Sequence, residues 1–311
     1  MSLKPIAPLT LRTLLNPLSW ITLIALSIVW LFNLLPYPLN IKIGKSFGHL
    51  LYLTEKRRSA IARKNLELCF PELSEAEREK IALSTFRNFG ASIFETAMSW
   101  WENPKKLSRR VEYKGTKHLE KALSQNRGVL LLGAHFSLID LPGIVLNQTH
   151  PVYAIYRNQT NKVFNYIMTR ARNRNLVGII PHTSMRTAAK IIKQGNIVWY
   201  APDQDMGIDH SVFANFFGHP AATLISTGKL VRLTGAPIVM MVPYRKEDDS
   251  GYIIEFLEGP DNFPSGDDVQ DATTINQLLE KGIRRAPDQY YWFHRRFKTQ
   301  PDQEKASIYQ S

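Results

Sequence analysis

The sequence predicts an α/β fold: a central, mostly parallel or mixed sheet covered by helices on both faces, with an N-terminal membrane-anchoring helix. Three observations carry this. Beyond Arg110, short apolar runs alternate with segments of helical periodicity, the pattern of strands joined by crossover helices. Between Thr13 and Ile41 no residue is charged. No internal repeat or low-complexity stretch interrupts the 311 residues, 44% of them hydrophobic, enough for one large core or two modest ones.

In chain order, residues 18–35 come first and are almost wholly apolar. About 20 apolar residues span a bilayer as a helix, so residues 20–35 need their flanks, with Trp20, Trp30 and Tyr37 at headgroup level. Competing readings are a cleaved signal peptide, an in-plane helix and a buried core helix. A signal peptide is disfavoured by the length of the stretch and by Pro36-Tyr37-Pro38, a poor cleavage site. A retained single anchor is expected, with an interfacial helix as the second reading. Lys4 and Arg12 precede it, whereas Lys42, Lys45, Lys56, Arg57 and Arg58 follow, placing the bulk of the chain on the cytoplasmic side. Single Cys69 excludes an intrachain disulfide and a cysteine-built zinc site, and fits a reducing compartment.

The expected division is 1–42 anchor, 43–108 helical membrane-proximal segment, 109–299 α/β core and 300–311 loose polar tail. Lys56-Arg57-Arg58 opens a helix whose cationic face suits anionic headgroups. Ser74 and Glu77 form a capping box, and the helix behind them carries Phe86, Phe89, Ile93, Ala97 and Trp100 at helical spacing. That stripe is either core or one wall of an acyl groove. Residues 129–132, 152–156, 176–180, 197–200, 238–242 and 252–257 read as strands. Residues 138–146, 163–171, 185–192, 224–233 and 274–283 read as helices. Phe213, Phe216, Phe217, Gly218, Pro220 and Thr223 read as an aromatic loop leading into a helix.

The chemistry centres on residues 128–140, a glycine-bounded apolar strand with His135 and Asp140 at its polar exit. Residues five apart on an ideal helix point about 140° away from each other. With His135 in the strand-to-helix turn and Asp140 on the first helical turn, the two can meet. The carboxylate then holds one ring nitrogen protonated and leaves the other to accept a hydroxyl proton. This is a base–orienter pair without a serine or cysteine nucleophile. Arg157, at the exit of the second strand, shares that edge of the sheet if the strands are parallel, and suits phosphate. Asp203 and Asp205 follow another strand and could orient basic groups or substrate. With Asp209 and His210 they have an oxygen-rich look but not EF-hand spacing, so no metal is expected. Residues 288–298 mix aromatics with Arg295, Arg296 and Lys298, a pattern open to base stacking or to phosphate binding. The charge of +12 demands an acidic partner of some kind. There is no Gly-x-Ser-x-Gly elbow, Walker loop or dinucleotide fingerprint.

The His-x4-Asp motif resembles that of the lysophospholipid acyltransferase superfamily. Val198-Trp199-Tyr200-Ala201-Pro202-Asp203-Gln204-Asp205, Pro220-Ala221-Ala222-Thr223 and Trp292-Phe293-His294-Arg295-Arg296-Phe297-Lys298 are similar to the late lauroyl/myristoyl acyltransferases of lipid A biosynthesis. So are the anchor, the cationic helix and Asn65-Leu66-Glu67-Leu68-Cys69-Phe70-Pro71. The resemblance implies a Gram-negative inner-membrane enzyme facing the cytoplasm. It would move a fatty acyl group from acyl carrier protein to the hydroxyl of a 3-hydroxyacyl chain on a lipid A precursor. His135 and Asp140 are then the catalytic candidates, and Arg157, Asp203, Asp205, Arg295 and Arg296 the substrate-binding ones. Backbone amides near residues 133–136 or a nearby cation are expected to hold the oxyanion. The expected partners are acyl carrier protein, a lipid A precursor and the anionic inner membrane, with no cofactor (acyl-acyl carrier protein is a co-substrate) and no nucleic acid. Asp203-Gln204-Asp205 stands where the superfamily has a Glu-Gly-Thr phosphate turn, and Ala236-Pro237-Ile238-Val239-Met240-Met241-Val242-Pro243 matches its fourth block. Rival readings are a glycerolipid acyltransferase acting on lysophosphatidate and a membrane-tethered nucleic-acid-binding protein.

Overall fold

The computed structural model describes residues 8–302 and 307–309. The chain opens with α1 (Leu11–Leu14) and α2 (Pro17–Phe32), breaks at 33–36, and continues as α3 (Tyr37–Thr54), α4 (Lys56–Cys69), α5 (Glu75–Trp101) and α6 (Pro104–Ser108). The core then runs β1 (Val111–Lys114), α7 (Thr116–Leu123), β2 (Val129–Leu132), α8 (Leu141–Leu146), β3 (Val152–Tyr156), α9 (Lys162–Asn175), β4 (Gly178–Pro181), α10 (Met185–Lys193) and β5 (Ile197–Tyr200). It finishes with β6 (Ser211–Phe216), β7 (His219–Leu224), α11 (Ser226–Thr234), β8 (Ile238–Arg245), β9 (Tyr252–Glu258), α12 (Asp268–Ile283) and a 3-10 turn, Pro287–Gln289.

The main sheet has the order β1-β9-β8-β2-β5-β3-β4. From β8 through β4 its strands are parallel, while β9 meets β8 antiparallel and carries β1 parallel beside it. Alternate side chains feed two cores. Leu130, Leu132, Val198, Tyr200, Met240 and Val242 pack with α4, α10, α11 and α12; Leu131, Ile197, Val239, Met241, Ile254 and Phe256 pack with α7 and α8. Burial on both faces explains why β2, a run of Val and Leu without polar alternation, is a strand.

Two elements depart from the expectation. β1 is a four-residue edge strand whose alternation, Val-Glu-Tyr-Lys, is too short to stand out from its surroundings. The aromatic stretch 211–224 is an antiparallel hairpin, β6 with β7, rather than a loop entering a helix. Its turn is Phe217-Gly218, both at positive φ, and Phe216 and Ala221 point into the core.

The N-terminal apolar segment is also shorter than a span. Helix α2 has 16 residues, started by the Asn16 cap with Pro17 at its first position. Among the described residues no helix is long and apolar enough to cross a membrane. Helices α2 and α3 nevertheless leave Leu18, Trp20, Ile21, Ile24, Ile28, Trp30, Leu31, Leu39, Phe47, Leu50 and Leu53 exposed. Their inner faces rest on the rest of the protein. Phe32 meets Phe94 of α5 edge-on at 5.7 Å, and Gly44 and Gly48 of α3 cross Gly90 and Ala91 so closely that a Cβ at any of the three glycines would strike backbone. The Ser74–Glu77 capping box is present at the start of α5. Of the expected loose tail, Tyr309 is instead buried, its hydroxyl bonded to Asn65 Oδ1 and to the Phe297 amide.

Candidate active site

Parallel pairing of β2 with β5 builds the site. Leu132 lies opposite Tyr200, and the Gly133 amide continues the ladder to the Tyr200 carbonyl at 2.8 Å. Three residues beyond each strand end stand His135 and Asp203, so they emerge side by side at the carboxyl edge of the sheet, where open α/β sheets carry their sites. Gly133 is required here, because any Cβ would run into the Trp199 indole.

The carboxylate grips the histidine twice. Asp203 Oδ1 lies 2.6 Å from His135 Nδ1, and Oδ2 accepts from the His135 backbone amide at 2.9 Å. Oδ2 also accepts from the Tyr290 hydroxyl at 3.0 Å. The loop is fixed from its other side by the segment after the 3-10 turn: Tyr291 N–H bonds the His135 carbonyl, Ser137 N–H bonds the Gln289 carbonyl, and Phe136 bridges Tyr290. Asp203 is fully buried, whereas about a third of the His135 side chain (34%) remains open. Nε2 has no protein partner among the described residues. The ring is therefore tethered by Nδ1 and presents Nε2 outward, the arrangement of a general base.

Electrostatics favour the same division. Burial pulls the His135 pKa down, but the charge and hydrogen bond of Asp203 outweigh it, and the net is a rise above the ordinary value. Arg172 pulls against this rise. Burial pushes Asp203 up, yet His135 and the hydrogen bonds draw it down to about 2. Asp203 is accordingly a buried anion at neutral pH.

Asp140 is not the partner of His135. Its Oδ2 accepts from Trp100 Nε1 at 2.6 Å, and its Oδ1 is held by Arg172 at 2.7–2.8 Å. The cause is local: residues between His135 and Asp140 are irregular, and Asp140 stands at the start of the six-residue α8 with its side chain turned toward α5 and α9 instead of capping the helix. It sets the position of Arg172, whose field reaches the imidazole.

The remaining candidates scatter. Arg157 is exposed at the exit of β3, on the same edge as His135, as parallel pairing predicts. Asp203 and Asp205, expected to meet substrate, spend their oxygens on the protein. Asp205 is buried and accepts from Gly207 N, Thr299 N and Thr299 Oγ1 at 2.9 Å, pinning the end of the chain. Arg296 is also withdrawn: it is buried, donates to the Ala222 carbonyl and Thr223 Oγ1 of the hairpin, and lies over Phe216. Arg295 is half-buried with its guanidinium near the Tyr309 ring. The expected oxyanion amides are mostly spent, since Gly133, His135 and Phe136 N–H already have acceptors. Trp292 and Phe297 are core residues and present no stacking platform for bases, whereas Tyr291 and Phe293 are partly open.

With this geometry in place, a family model for bacterial lipid A biosynthesis acyltransferases matches residues 9–299. The chain belongs to this family. It is 40% identical over 291 residues to the lipid A biosynthesis palmitoleoyltransferase of Escherichia coli K12, covering 93% of this chain and 95% of that one. The lauroyltransferase of the same organism is 38% identical over the same shares, and its myristoyltransferase 30% identical over 84% and 80%. The acceptor reading with lysophosphatidate has no support in these similarities.

For a lipid A acyltransferase, two residues that sequence reasoning passed over are informative. Tyr290 completes the hold on Asp203, and Arg172 links Asp140 to the site. Tyr290 had a visible signal, lying in the aromatic cluster 290–293; Arg172 falls just past the expected helix 163–171 and carries no local signal of its own. The cluster has a second consequence. Tyr291, directly after the residue that bonds Asp203, packs with Phe89 and Phe293 at 5.1–5.3 Å, and all three rings are only partly buried.

Proposed function

We propose that this acyltransferase moves a fatty acyl group from the thioester of acyl carrier protein to the hydroxyl of a 3-hydroxyacyl chain on a lipid A precursor, with His135 as general base oriented by Asp203. The observation that carries this reading is the 2.6 Å contact between His135 Nδ1 and a buried, ionised Asp203, leaving Nε2 open. Nε2 takes the hydroxyl proton as the oxygen attacks the thioester carbonyl. The carbon–sulfur bond then breaks, and the departing thiolate recovers the proton from the imidazolium. Asp203 stabilises that imidazolium and keeps the productive tautomer. The one cysteine, Cys69, is buried, and Ser137, the serine of the His135 loop, is buried too, with its hydroxyl not hydrogen-bonded to the imidazole that would have to activate it. Direct transfer between two bound substrates follows.

The partly open Phe89, Tyr291 and Phe293 rings, with exposed Ile93 one turn from Phe89, suit the acyl chain beside the base. The apolar outer faces of α2 and α3 suit contact with the inner membrane in its interfacial layer, holding the site where a lipid acceptor lies. The test is purified protein given acyl-acyl carrier protein and lipid A precursor, with products read by mass spectrometry. His135→Ala should lose roughly 10²–10⁴-fold in turnover while folding and vesicle binding persist. Near-normal turnover of that variant would sink the mechanism.

A further inference from the structure

A concavity lies next to the Asp140–Arg172 pair, reached through Trp100, whose indole bonds Asp140. It encloses about 240 Å³ and is lined by Trp100 and Trp101 at the end of α5, and by Tyr166, Ile167, Arg170, Ala171 and Arg174 of α9. Tyr166, Arg170 and Arg174 succeed one another at i, i+4 spacing and so share one face of α9. Arg170 Nη1 bonds the Tyr166 hydroxyl at 3.1 Å, and Arg174 Nη2 donates to the Trp100 carbonyl. These contacts aim both guanidiniums without neutralising them. No carboxylate lines the pocket, and among the described residues neither arginine has an acidic partner. The contrast with Arg172, two residues from each of them and committed to Asp140, is sharp.

The surroundings specify what kind of anion fits. Leu26 of α2 packs against the same cluster as Trp101, Phe164 and Ile167, and Asn161 Nδ2 bonds Thr22 Oγ1 of α2 at 2.7 Å. The pocket therefore adjoins the helix whose outer face is apolar and exposed. We propose that it binds the phosphoryl group and attached sugar ring of the acceptor's headgroup, a phosphorylated sugar at a lipid surface. Two guanidiniums match phosphoryl oxygens through directed N–H donors, and the partly open Trp101 indole matches the apolar face of a sugar. Arg172, between Arg170 and Arg174, would carry that docking to Asp140 and to the edge of the base. The inference rests on the acceptor reading above.

The experiment compares the full-length protein with an Arg170→Ala/Arg174→Ala variant, each given a lipid A precursor with its phosphates and the same precursor after phosphatase treatment. The expected result is a loss of at least about tenfold in kcat/KM, carried by KM, for the variant or for the dephosphorylated acceptor. Combined, the two changes should lose little more than either alone. Losses that multiply would overturn the proposal, as would an unchanged KM of the variant for the phosphorylated acceptor. A binding arm separates this from failure of the proposed reaction. In a Trp20→Phe/Trp30→Phe background, which silences the exposed face of α2, tryptophan emission is followed on titration with vesicles of phosphatidylcholine, with and without phosphatidic acid, and with inorganic phosphate. A response to phosphatidic acid that the variant lacks supports a phosphoryl site even if no acyl transfer occurs. Equal responses of both proteins would overturn it. A response to inorganic phosphate at the same concentration would assign the site to free anion and not to a headgroup, also overturning it.

Discussion

Asp203→Asn decides which carboxylate orients the base. Pairing with His135 draws the Asp203 carboxyl from 3.8 to about 2. At 1.4 kcal/mol per unit this net shift, charge and hydrogen bonds set against burial, is roughly 2 kcal/mol in favour of the folded carboxylate. Asparagine removes the charge and offers Nδ1 either an oxygen or an NH2, so the tautomer with Nε2 unprotonated is no longer enforced. By analogy with a serine-protease triad whose aspartate is replaced, kcat should fall by roughly 10³–10⁴. The sign of the pH effect also follows. Without Asp203, burial and Arg172 both act to lower the His135 pKa, so the acid limb of kcat/KM moves to lower pH. The comparison variant is Asp140→Asn, which leaves the Nδ1 contact in place. Proton NMR distinguishes them directly, because the short Nδ1–H···Oδ1 bond gives a far-downfield proton. That signal should be present in the wild type and in Asp140→Asn and absent in Asp203→Asn. A signal kept in Asp203→Asn and lost in Asp140→Asn would refute the assignment.

Three further outcomes are expected. Tyr290→Phe removes one donor from Asp203 Oδ2, so turnover should fall roughly tenfold and the acid limb should move to higher pH, as the carboxylate charge rests more fully on the imidazole; a pH–rate series measures both. Glu95→Ala strips the partner from fully buried Arg245, whose guanidinium also bonds Asn88 and whose backbone is bracketed by Gln289. An uncompensated buried charge should cost about 3–5 kcal/mol in urea unfolding. The pH dependence of stability should carry the mark of the His135–Asp203 pair. Asp203 has a depressed pKa, so its contribution is present above about 4 and fades as pH falls toward 2. His135 has a raised pKa, so its contribution is present below roughly 6.5 and fades as pH rises through the folded value. The stability gap between wild type and Asp203→Asn should therefore be widest between about pH 4 and 6.5.

What the sequence disclosed, and what it hid, follows from the range over which each interaction acts. Strand β2, buried on both faces, and the Ser74 cap of α5 are written in a few consecutive residues, and both were readable. The hairpin β6–β7 was obscured because its inward aromatics also suit a loop beside a ligand. At the site, His135 stood out because a strand exit with a lone imidazole is a local signal. Its partner did not, because proximity in the chain favoured Asp140, five residues away, over Asp203, 68 residues away. In a parallel sheet that preference is misplaced. Two strands in register bring residues at equal distances beyond their ends together, and the pairing of Leu132 with Tyr200 makes His135 and Asp203 equivalent positions. Asp140, by contrast, begins a new helix, and a residue at a helix start takes its partners from whatever packs across it, here Trp100 and Arg172. The two carboxylates thus hold different side chains: Asp203 the imidazole of His135, and Asp140 the guanidinium of Arg172. Strand register, applied to polar residues just past strand ends, would have found the dyad from the sequence alone once β2 and β5 were taken as neighbours.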